Sequence, residues 1–135
     1  MSDDKSKNPG VKSLRRTRGA NLREIVERLA DIHARLSDRY DALSQQAGRE
    51  RVQLVLRALA GQEAALAVYL RRFLEQAPDA VSGRMFKYVP DLDGKDLFGA
   101  FEGQVPDTTE ELAELLNEVH RAIDAVYEPL TGSML

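Results

Sequence analysis

The stretch Leu22-REIVERLADIHARLSDRYDALSQQA-Gly48-RERVQLVLRALAGQEAALAVYLRRFLEQ-Ala77 decides the fold. In its first half, Leu22, Val26, Leu29, His33, Leu36, Tyr40 and Leu43 recur at alternating steps of four and three residues, the spacing that lines one face of a helix. Val52, Leu56, Leu59, Glu63, Leu66, Leu70 and Phe73 repeat the pattern in the second half. Gly48 stands between them, a residue type suited to the left-handed conformation that ends a helix. So short a connection makes the two helices antiparallel neighbours. Counted outward from Gly48, His33 and Glu63 are each fifteen positions away, so the hairpin sets them opposite one another. Apart from Tyr40, they are the only ionisable residues in the two stripes.

The boundaries follow from local chemistry. Asn21 and Glu24 have the spacing of a capping box, which starts helix 1 near Leu22 and lets it run to about Ala47. Helix 2 restarts at Arg49 and Glu50 and stops at Pro78, which cannot continue it. From Pro78 to Pro106 the chain is irregular. Val81, Met85, Phe86 and Val89 suggest one short amphipathic helical turn, and Leu92, Leu97, Phe98 and Phe101 another. The aromatics of this segment are expected to close one end of the hairpin core. Asp91, Asp93, Gly94 and Asp96 look superficially like a calcium loop, but the sixth loop position, where an EF-hand needs glycine, holds Asp96. Asp107 and Glu110 give a second capping-box spacing, and helix 3 follows with Leu112, Leu116, Val119, Ile123 and Val126 on one face, ending before Pro129.

The expected fold is therefore all-α: a long antiparallel helical hairpin plus a third helix in an up-down bundle. Residues 19–130 form a single helical-bundle domain between a basic arm at 1–18 and a short tail at 131–135. Three helices leave an exposed edge. Either the segment at 80–102 covers it, or a homodimer of two hairpins completes a four-helix bundle, with a two-fold axis near His33 gathering four polar groups.

Composition narrows the chemistry. With no cysteine there is no disulfide, thiolate metal site or cysteine nucleophile. No apolar segment follows the charged N-terminus as a secretory signal would require, and the longest uncharged run of the hairpin, Ala64 to Leu70, is far short of a membrane span. A soluble cytoplasmic protein is expected. The net charge of −3 divides unevenly: residues 1–18 carry six Lys and Arg against two Asp, or +4, leaving −7 on the remainder. The arm reads first as a solvated tail, because it lacks aromatics to stack on bases; the sharper reading is contact with nucleic acid, a ribosome or another anionic surface.

An ionisable group on a core stripe needs a partner. His33 and Glu63 can satisfy each other as a structural pair that fixes hairpin register. Imidazole and carboxylate are also first-row metal ligands, so the alternative is a site for iron, zinc or manganese at His33 and Glu63 with His120, Glu118 or Tyr127 from helix 3. Glu24, Glu27, Asp31 and Asp38 lie off the stripe and are expected to form a solvated face with Arg23, Arg28 and Arg35.

The runs Leu29-Ala-Asp-Ile-His33-Ala-Arg-Leu-Ser-Asp-Arg-Tyr40, Leu59-Ala-Gly-Gln-Glu63-Ala-Ala-Leu66 and Met85-Phe-Lys-Tyr-Val-Pro-Asp91 resemble the ferritin-like and rubrerythrin-like superfamily, and within it small bacterial helical-hairpin proteins. The resemblance implies a helical bundle with a metal site between helices. Di-iron members carry a Glu-x-x-His motif on each of two helices. Here Leu66 stands where Glu63 would need its histidine, and Glu118-Val-His120 is one residue short, with Asn117 in the glutamate position. The resemblance thus supports the fold and argues against ordinary di-iron chemistry. The C-terminal Leu130-Thr-Gly-Ser-Met-Leu135 is loosely similar to the peptides that direct ferritin-like cargo into encapsulin shells, and reads more simply as a frayed helix end. The functional expectation is a small non-enzymatic helical-bundle protein acting through protein interaction in an accessory or stress-related role. A metal-binding ferritin-like protein is the alternative, and nucleic-acid association through the arm a third reading.

Overall fold

The computed structural model of the chain describes residues 19–87 and 92–131. The basic arm, the segment at 88–91 and the end of the C-terminal tail, with the readings that fell on them, lie outside the described residues. Among the described residues the order is β1 (Ala20–Asn21), α1 (Leu22–Gln46), α2 (Glu50–Gln76), α3 (Asp79–Ser82), β2 (Met85–Phe86), α4 (Lys95–Gly99), a 3₁₀ turn (Ala100–Glu102) and α5 (Thr109–Thr131). The fold is predominantly helical, as the periodicity predicts.

Helix α1 starts where its capping box requires. The Asn21 side chain accepts from the Glu24 amide at 2.9 Å, and the Glu24 carboxylate accepts from the Asn21 amide at 2.9 Å. Its end differs from expectation. The capping residue is Ala47, in an extended conformation, and Gly94 is the only glycine with positive φ among the described residues, so Gly48 is not left-handed. The chain leaves α1 by extended backbone, and the Gln53 side chain donates to the Ala47 carbonyl at 2.6 Å, tying the turn to α2.

The stripe of α1 is buried from Val26 to Leu43, with Leu22 half-buried at its start, and is joined by Ile25, Ala30 and Ile32. On α2 the inward face drifts from the sequence reading: Val52, Leu56, Ala60, Ala67 and Leu74 are buried, whereas Leu66 and Phe73 are exposed at its flank. The shift comes at Leu56 to Ala60, a second consecutive step of four, after which Ala60, Ala67 and Leu74 keep a seven-residue spacing on the seam. Alanine at 60 and 67 admits close approach of α1, and Ser37 Oγ donates across it to the Ala60 carbonyl at 2.8 Å.

The segment after α2 carries the chain back along the hairpin. A two-residue antiparallel bridge pairs Ala20 with Phe86 and Asn21 with Met85 at the open end. A strand therefore stands where an amphipathic turn was expected near Met85. Gly94 (φ 74°) sits beside Ile32 and Phe98, where a Cβ would lie 2.8 Å from the Phe98 ring. Phe101 meets Tyr40 edge-on, ring centres 5.3 Å apart. This return delivers α5 to the hairpin turn, where a Cβ at Gly48 would lie 3.2 Å from Asp107 Oδ1. Helix α5 therefore runs parallel to α2 and antiparallel to α1.

Two apolar clusters result. Tyr40, Leu43, Val52, Leu56, Leu97, Phe98, Leu112 and Val119 fill the turn half. Ile25, Leu29, Phe86, Leu92, Val126 and Leu130 fill the open half. The cap of α5 lies one residue later than predicted: Thr108 Oγ1 accepts from the Glu111 amide at 3.1 Å, and Glu111 reaches back to the Asp107 amide at 2.8 Å. Nor does α5 stop before Pro129. It keeps that proline in its last turn, forgoing one backbone bond, because burial of Leu130 in the open-half cluster holds the turn in place.

Candidate functional site

The site is built at mid-hairpin, between the two clusters. Helix α1 supplies His33, which is 3% exposed, and α2 supplies Glu63, half-buried. His33 Nδ1 lies 2.5 Å from Glu63 Oε1, as the mirror symmetry about Gly48 predicts. Helix α5 adds Tyr127, whose hydroxyl lies 2.8 Å from His33 Nε2. With a neutral imidazole, Nδ1–H donates to the carboxylate and the Tyr127 O–H donates to Nε2. A protonated ring keeps both contacts by donating Nε2–H to the Tyr127 oxygen.

The electrostatics fit this arrangement. Burial raises the Tyr127 hydroxyl above its ordinary value, and the Glu63 charge adds to the rise. Tyr40, further along α1, is raised for the same two reasons in the same order. Both phenols thus remain neutral donors around one carboxylate. Among the described residues no buried side-chain nitrogen or oxygen lacks a hydrogen-bond partner.

The metal reading places three residues together, and the structure joins two of them. His33 and Glu63 meet, but His120 is exposed on α5. Both ring nitrogens of His33 already have partners, so a metal would have to displace one. Among the described residues no group of three or more His, Asp or Glu side chains is placed to hold an ion. Of the candidates from helix 3, Tyr127 reaches the pair, and it does so as a hydrogen-bond partner.

The charged residues outside the stripe make different contacts from those expected. Arg71 of α2 binds Asp31 at 3.1 Å, Arg28 lies 3.6 Å from Asp93, and the Arg35 guanidinium lies over the Phe98 ring at 4.0 Å while donating to the Asp93 carbonyl at 3.1 Å. They clamp α1 to α2 and to the return segment. One feature escaped the sequence reading altogether. Leu54, Val68 and Tyr69 are exposed on the outward side of α2, and Val55, Leu66 and Phe73, each 37% exposed, flank its inward face. Its signal was available: between Val52 and Leu70, Arg57 and Glu63 are the only charged residues.

Among the described residues, no helix is long and apolar enough to cross a membrane. Compared with known proteins, the chain matches no family model, no curated protein and no solved structure.

Proposed function

We propose that this protein is a non-enzymatic helical-bundle module that acts through protein interaction, and that the outward face of α2 is its working surface. One observation carries the reading: a long helix exposes Leu54 (54%), Val68 (47%) and Tyr69 (66%), with Ala58, Gly61 and Ala65 between them. Exposed apolar surface of this kind marks interaction sites. The His33–Glu63–Tyr127 chain supports it from the other side. With His33 buried and both its ring nitrogens paired, the three residues fix helix register.

The test is retention of partner proteins from a lysate of the source cells by immobilised wild-type chain and by the Leu54→Glu/Tyr69→Glu variant. Specific retention by wild type that the variant loses is expected. An identical set retained by both overturns the reading.

A second reading keeps the ferritin-like resemblance. A hairpin followed by one long crossover and a third helix parallel to the second is the layout ferritin-like bundles use, and His33 with Glu63 sits between helices at the depth such sites occupy. Elemental analysis of untagged protein decides it. Stoichiometric iron, zinc or manganese lost in His33→Ala would favour a metal centre over a structural pair.

A further inference from the structure

We infer that the outward face of α2 seats the same face of a second copy of this chain, antiparallel, about a two-fold axis passing beside Gly61. The inference rests on the interaction reading above and names its partner. Between Val52 and Leu70 helix α2 carries only Arg57 and Glu63 as charges, yet the other described residues cover only one side of it.

Symmetry within the face identifies the occupant. Leu54, Ala58, Gly61, Ala65 and Val68 follow one another at steps of four and three along its middle. Large residues stand towards both ends and small ones at the centre, so the face turned end over end presents nearly the same profile. Ala58 of one copy meets Ala65 of the other, Leu54 meets Val68 and Tyr69, and the two Gly61 positions approach each other. An isologous interface must be self-complementary in this way. Charge agrees with the profile. Glu50 and Arg72 occupy the same edge at opposite ends of the face, and antiparallel pairing brings each beside its opposite in the other copy.

Gly61 gives an independent indication. A glycine in a helix interior destabilises it, and among the described residues nothing lies within 4 Å of the position its Cβ would take. The missing side chain leaves room there for a second backbone to cross closely. The basic arm is a poor occupant, because residues 1–18 bring six cations against a face that is apolar from Leu54 to Val68.

The absence of native cysteine supplies the test. Under mild oxidation Gly61→Cys should form a disulfide dimer. Ala58→Cys and Ala65→Cys should each remain uncrosslinked alone and crosslink when mixed, while Glu114→Cys on α5 should not crosslink. Sedimentation equilibrium should give the wild type twice the 15.1 kDa of one chain and Leu54→Glu/Tyr69→Glu the mass of one chain. If the glutamates unfold the chain, the cysteine series decides alone. A wild type that sediments as one chain and a Gly61→Cys variant that does not crosslink overturn the inference, and crosslinking through Glu114→Cys instead overturns the choice of face. If that single chain still loses partner capture in the glutamate variant, the face serves a different protein; if capture is unchanged, the interaction reading falls as well.

Discussion

Nδ1 of His33 and Oε1 of Glu63 stand 2.5 Å apart across the two long helices, thirty residues apart in sequence and equidistant from the turn. The contact, together with the Tyr127 hydroxyl on the opposite ring nitrogen, is the polar centre of an otherwise apolar seam. A one-residue slip of either helix would bury an imidazole and a carboxylate without partners, so the pair selects a single register.

Glu63→Ala is expected to destabilise the fold more than the paired replacement His33→Leu/Glu63→Leu. The single change leaves a buried Nδ1–H unpaired, which costs about 1–3 kcal/mol, whereas removing both groups removes the need for pairing. Urea denaturation of the two variants measures the difference. Equal stability would mean that the two residues do not meet.

The alkaline limb of stability belongs to Tyr40 and Tyr127. Burial, then the Glu63 charge, holds both hydroxyls above the ordinary phenol value. The unfolded chain ionises first, so the stabilisation from neutral phenols is complete below about pH 10 and is lost as pH rises through the higher folded values. Urea midpoints should therefore fall with rising pH across the alkaline range, and Tyr40→Phe and Tyr127→Phe should each flatten the fall. An unchanged slope in both variants would contradict the assignment.

Helix α5 depends on Thr108 for its start. Thr108→Ala removes the acceptor for the Glu111 amide and should cost about 1 kcal/mol, as should Asn21→Ala at the start of α1. Asp107→Ala, at the position that the spacing to Glu110 favours, should change stability by no more than about 0.5 kcal/mol. Thermal unfolding of the three variants ranks them, and a larger effect at Asp107 than at Thr108 would return the cap to the earlier residue.

Local rules were legible in the sequence where one residue's chemistry decides the outcome. Asn21 and Glu24 announce their capping box, and Pro78 ends α2. The pairing of His33 with Glu63 was also legible, because equal distance from a short turn is enough to set two residues opposite each other. What was lost depends on accumulated rotation or on distant partners. On α2 a second consecutive step of four, from Leu56 to Ala60, moves the seam by one residue, from Leu66 to Ala67. The bridge between Ala20 and Phe86 and the helical turn retained at Pro129 are decided by neighbours far along the chain. Tyr127 could be named as a candidate partner of the pair, but its choice over Glu118 and His120 required knowing that α5 runs parallel to α2.

The functional account rests on the outward face of α2. Thermal unfolding followed over about a hundredfold range of protein concentration tests it most directly, because self-association makes the midpoint depend on concentration. The wild-type Tm should rise with concentration while that of Leu54→Glu/Tyr69→Glu stays constant. A wild-type Tm that is flat over the whole range would contradict the pairing of this face with a second copy.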